Sequence, residues 1–247
     1  MYLLAALIFA IALLYSSVGH GGASSYLAAM ALFGIAPEEM KPAALALNIL
    51  VASIATTKYI RAGRFSWPLF WPFAVVSIPF AFVGGFFTLP AIYYKPVIGI
   101  VLIVAAYHFI RNARQAEYAI APPLLPLLVL SGAGLGFFSG LMGVGGGIFL
   151  SPLLIFLKWA SVRNVSGIAA AFILVNSIAG LTGFAASGAP HFPDGLFLWA
   201  LAAVLGSYIG ATYGSRHLAG PVIKRLLSLV LLLAAVKMFV STWGEYM

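Results

Sequence analysis

The chain has 247 residues, of which 63% are hydrophobic and 7% charged. Soluble globular domains carry about 25% charged residues, so this composition excludes a water-soluble domain and makes hydrocarbon the solvent. The net charge of +8 comes from 13 Lys and Arg against 5 Asp and Glu, and in a membrane protein such an excess reports orientation before it reports nucleic acid.

Apolar stretches run at 1–17, 22–35, 41–60, 67–89, 94–110, 124–141, 146–158, 164–187, 196–215 and 222–243. The first lacks a basic leader and reads as a retained membrane segment. Most are long enough to cross a core of roughly 30 Å as helices. None alternates in polarity as barrel strands of about ten residues do. The stretches 22–35 and 146–158 are short, about 20 Å as helix, and each follows a glycine-rich break. Residues 1–35 and 124–158 therefore predict two hairpins that return to the side they came from. Trp67, Trp71, Trp159, Trp199 and Trp243 mostly flank segments, as interfacial anchors do.

With returning hairpins and single later crossings, one side collects Lys58, Arg61, Arg64, Arg111, Arg114, Lys158, Arg163, Arg216, Lys224 and Arg225. The other receives Lys41, Lys95 and Lys237. The richer side should be cytoplasmic and both termini non-cytoplasmic. The acidic residues Glu38, Glu39, Glu117, Asp194 and Glu245 are expected in loops or near the end.

The chain also resembles itself. Gly19-His20-Gly21-Gly22-Ala23 matches Gly143-Val144-Gly145-Gly146-Gly147, Asn48 matches Asn176, Gly84 matches Gly210, and Lys95 through Phe109 matches Lys224 through Met238. The offsets are 124, 128, 126 and 129. The expected architecture is an all-α polytopic membrane protein of two repeats, each a glycine-broken hairpin followed by three transmembrane helices. The first repeat covers 1–111, a polar connection 112–123, and the second 124–247. Three crossings per half invert the second copy, the arrangement that underlies alternating access.

Candidate site residues fall at the breaks. Ser16, Ser17, Gly19, His20, Gly21 and Gly22 form the first; Ser139, Gly143, Gly145 and Gly146 the second. A broken helix exposes N–H groups at the next helix start, where partial positive charge suits an anion. The alternative is that these glycines only allow close helix packing. Asn48 and Asn176 need hydrogen-bond partners inside apolar helices, from a shared site or from a neighbouring helix. Serine hydroxyls could add donors to an oxyanion. His20 is the titratable group within a break. It is a candidate to exchange a proton near neutral pH, against the alternative of a neutral ring bonded to backbone. Its repeat counterpart, Val144, cannot share that role.

Zero Cys exclude disulfides and thiolate metal sites, and no phosphate-cradling loop, HExxH motif or nucleophile constellation appears. No cofactor, metal, catalytic residue or nucleic acid partner is expected. The partners expected are the bilayer and a small anion, with a homodimer left open.

The order of these motifs resembles the TauE/SafE sulfite exporter family, also called TSUP, from Ser16 to Phe239. The two glycine-rich hairpins, Gly206-Ser207-Tyr208-Ile209-Gly210 and the helix Lys224 to Met238 carry the resemblance. It implies a small secondary transporter in the cytoplasmic membrane for sulfur-containing anions such as sulfite, sulfonates, sulfoacetate or thiosulfate, or for organic acids. Where the family often opens the helix after each hairpin with Gly-Thr-Ser, this chain has Ala43-Ala44-Leu45 and Ser166-Gly167-Ile168. A passive anion channel and a membrane enzyme are the competing readings; the enzyme lacks visible machinery.

Overall fold

A computed structural model of the chain describes residues 1–87, 119–218 and 220–244, together with 100, 103, 106, 107 and 110. The described residues form helices α1 (Tyr2–Ser16), α2 (Ala23–Leu32), α3 (Pro37–Arg61), α4 (Trp67–Phe86), α5 (Leu125–Met142), α6 (Gly147–Phe156), α7 (Val162–Ser187), α8 (Leu196–His217) and α9 (Gly220–Gly244). Five of these, α3, α4, α5, α7 and α8, are apolar over enough length to cross a bilayer. Much of the expected helix over 94–110, with its half of the Lys95–Phe109 match, lies outside the described residues.

Local chemistry sets the helix ends. α3 starts earlier than its apolar stretch suggests, because Pro37 occupies the first turn and Glu38 and Glu39 follow it. Proline fits there without losing a needed donor, and carboxylates oppose the positive helix end. The two glutamates expected in a loop are therefore helical. At α7, the Ser161 hydroxyl accepts from the Asn164 amide at 3.3 Å, a side-chain cap.

Using α3 as a ruler, Lys41, Asn48 and Tyr59 mark successive levels separated by about 10 and about 16 Å. The Tyr59 hydroxyl donates to the Ser17 carbonyl at 2.7 Å, so α1 ends near the Tyr59 level. The Ala23 amide donates to the Asn48 side chain, so α2 begins at mid-depth and runs back toward Pro37. The first hairpin thus enters from the Lys41 end. A Cβ on Gly143 would stand 2.9 Å from the Lys41 side chain, which puts the tip of α5–α6 near that end. The far ends of that hairpin meet where the Ala121 amide donates to the Lys158 carbonyl at 2.9 Å.

The helix pairings are reciprocal. α4 packs along α5 and α7, while α8 packs along α1 and α3, and α3 lies against α7. A side chain on Gly84 would strike the Phe137 carbonyl, and one on Gly210 would strike the Leu13 carbonyl. Gly84 and Gly210 lie 126 apart and Leu13 and Phe137 lie 124 apart, the offsets of the sequence matches. Small residues at these seams let backbones touch, which drives helix association where lipid removes the hydrophobic force.

Two expected interfacial anchors are instead core residues. Trp159 is buried, and Trp199 is buried among Leu4, Ile8 and Ala203. The ring of Trp199 lies over Gly195, where a Cβ would come within 2.8 Å of it, so the missing side chain makes its slot. Trp67 and Trp71 are half exposed at the start of α4, where anchors belong. The side chain of Trp243 is outside the described residues.

Candidate functional site

Both breaks end in a glycine that caps the following short helix. Gly22 precedes α2 with φ +93, and Gly146 precedes α6 with φ +77. A side chain is strained at such angles, whereas glycine adopts them freely. The chain can therefore stop one helix and start another within a few residues at full burial. Gly19 and Gly143 also have positive φ, so these two matched pairs share backbone conformation as well as identity, whereas Gly145 has φ +78 and its match Gly21 lacks positive φ.

Asn48 joins the two breaks. Its Oδ1 accepts from the Ala23 amide at 3.1 Å, at the head of α2. Its Nδ2 donates to the Val144 carbonyl in the second break at 3.2 Å, with the Ser177 hydroxyl at 3.4 Å. Gly21 and Gly145 pack on the two sides of this amide. The head of α2 is consequently not a set of unpaired donors, as the sequence suggested: its first amide already has a partner.

Asn176 behaves differently. Its Nδ2 donates to Phe172, one turn back in its own helix, at 2.9 Å, and its Oδ1 is fully buried without a partner. Reversing the amide would set oxygen against the Phe172 carbonyl, so the orientation is fixed by its neighbour. Asn48 and Asn176 are thus equivalent in register but not in bonding. Only Asn48 reaches both breaks.

His20 is buried between the hairpins. Its Nδ1 faces the Val18 carbonyl at 3.1 Å, and its Nε2 faces the Ser151 hydroxyl at 3.3 Å. A neutral ring with hydrogen on Nδ1 donates to Val18 and accepts from Ser151, satisfying both nitrogens. Among the other predicted residues, Ser17 donates to the Leu14 carbonyl at 2.6 Å. The hydroxyls of Ser16 and Ser139 are buried without partners. Ser139 lies against Gly146, whereas Gly19 lies against the Ser166 carbonyl, away from Asn48.

Between the breaks is a cavity lined by His20, Gly21, Gly22 and Ser24 from the first hairpin and Val144 and Ile148 from the second. Its volume, about 10 Å³, is the least that one water needs. This space is closed to anything of several atoms. Of the predicted residues, His20, Gly21 and Gly22 line it, whereas Ser16, Ser17, Gly19, Asn48, Ser139, Gly143, Gly145, Gly146 and Asn176 do not. Tyr15 does, and its hydroxyl is 2.6 Å from that of Ser25. Tyr15, Ser151 and Ser177 were missed in the sequence because tyrosines and serines recur throughout apolar helices without periodic signal.

Broken helices meeting at mid-depth inside a multi-pass α-helical bundle are the arrangement on which membrane transporters build their sites. The chain belongs to the TauE/SafE sulfite exporter family, whose sequence model matches residues 4–238. It is 40% identical over 239 residues to a probable membrane transporter protein of Sinorhizobium fredii, covering 95% of this chain and 96% of that one. A probable membrane transporter protein of Methanocaldococcus jannaschii is 28% identical over 134 residues, 53% of this chain and 50% of its own. No solved structure gives a significant match.

Proposed function

We propose that this protein is a secondary transporter that moves a small sulfur-containing oxyanion across the cytoplasmic membrane by alternating access. Sulfite, sulfonates, sulfoacetate and thiosulfate are the substrates to try first, with small carboxylates as the alternative. The observation that carries the reading is Asn48, one polar side chain tied to both glycine breaks beside a small cavity between them. The family's description as sulfite exporters supports the substrate class.

The two halves act as inverted repeats in this reading. Hairpins entering from opposite ends of α3 and the reciprocal glycine seams support it. The cytoplasmic face is the one bearing Arg64, with both termini on the other. His20 is the candidate to exchange a coupled proton. Transport requires the breaks to part, because the space between them holds no more than a water. That closure favours a carrier over an open anion channel.

The test is flux into proteoliposomes of sulfite, sulfonates, thiosulfate and carboxylates in turn. Saturable uptake accelerated by the same anion on the opposite side is expected for one of them. Absence of saturable flux for all of them refutes the reading. Unsaturated flux with no exchange would make the protein a channel.

A further inference from the structure

Two basic side chains stand at opposite ends of α3, and neither pairs with a carboxylate among the described residues. At one end the Lys41 ammonium donates to the Gly85 and Phe87 carbonyls, both at 3.3 Å, where α4 ends. It lies 5.3 Å from the centre of the Phe184 ring and beside Gly143, the tip of the second hairpin. Just beyond the other end, the Arg64 guanidinium donates to Leu218 at 3.2 Å and to Arg216 at 3.4 Å, where α8 ends. Its own carbonyl packs on Gly167, next to the Ser166 that meets Gly19 in the first hairpin.

α4 and α8 are corresponding helices of the two halves, so the same device is built at both faces. In each case a cation from the α3 region holds the final carbonyls of the fourth helix of a half. Cations suit helix C-termini, but these bonds are long and their acceptors uncharged. A bond between a cation and an oxyanion is the stronger one, about twice a neutral bond. Each group therefore has a weak partner when its face is closed and a better one when an anion arrives there.

We propose that Lys41 and Arg64 are side-specific anion-receiving latches, each exchanging helix-end carbonyls for the entering oxyanion as its own face opens. The inference rests on the alternating-access reading above and adds the residues that receive the anion at either mouth.

The full chain contains no Cys, so one introduced thiol reports access cleanly. Ser24→Cys places it at the cavity, and a membrane-impermeant maleimide is added to either face of oriented vesicles. Adding Arg64→Gln should speed modification from the Arg64 face, and adding Lys41→Gln should speed it from the Lys41 face. The increase should be about 5- to 30-fold, the size one or two lost bonds give, with the opposite face unchanged. Equal change from both faces, or no change in either variant, overturns the proposal. Where a Gln variant is not recovered folded, Arg64→Lys and Lys41→Arg decide. Keeping charge but altering reach, they should give the same sidedness at smaller size, and loss of sidedness there is equally fatal.

In flux assays each Gln variant should raise the half-saturating anion concentration only for anion supplied at its own face. A symmetric rise counts against the latches. If the unaltered protein carries no tested anion, the transport reading fails, whereas the thiol arm still decides whether the latches exist.

Discussion

Asn48 and Asn176 occupy matched positions, yet replacing each by Leu, which has nearly the same volume, should have opposite consequences. Asn48→Leu strands the Ala23 amide, which is buried at the head of a helix and has Asn48 as its partner, and also frees the Val144 carbonyl. A stranded buried donor costs about 1–3 kcal/mol, and a carbonyl is more tolerant. The loss should therefore be about 2 kcal/mol, above the roughly 0.6 kcal/mol average for interhelical bonds in membranes. Asn176→Leu removes an acceptor that already lacks a partner, and Phe172 remains available to its own helix. That change should be neutral or stabilising. Reversible unfolding of both variants in the same bicelles measures the difference. Equal costs, or a cost below about 0.5 kcal/mol for Asn48→Leu, would refute the bonding asymmetry on which the site is built.

Other expectations follow from the same contacts. Gly84→Val and Gly210→Val should each destabilise by about 1–3 kcal/mol through overpacking, with similar size because both meet a backbone carbonyl. Thermal unfolding in detergent checks this against Gly134→Ala, which meets open space and should gain up to about 1 kcal/mol from helix propensity. Tyr59→Phe removes the bond to the Ser17 carbonyl and should cost about 0.5–1.5 kcal/mol. It should also speed hydrogen exchange at residues 17–22, and unchanged exchange would show that Tyr59 does not hold the first tip. His20→Asn should flatten the pH dependence of flux, because an asparagine amide cannot exchange the proton that an imidazole can. Persistence of the profile with flux intact removes His20 from the coupling.

Much of the architecture was legible in the residues themselves. Apolar length, breaks at glycine and the scarcity of charge require a helical membrane bundle, because backbone polar groups in hydrocarbon must be satisfied within their own segment. The glycine pairs 22 and 146 could be found by spacing alone, since their positive φ admits few other residues. What spacing could not tell is where a side chain's second bond goes. Asn48 and Asn176 look alike along the chain, and only packing sends one across to Val144 and turns the other back on Phe172. Lys41 and Arg64 were read as topology, because charge counting cannot show a cation resting on a helix end brought from dozens of residues away. Trp199 looked like an anchor until the absent side chain of Gly195 made room for its ring. One-dimensional pattern records which groups must be buried or bonded; the partner that satisfies each is chosen by helices meeting in three dimensions.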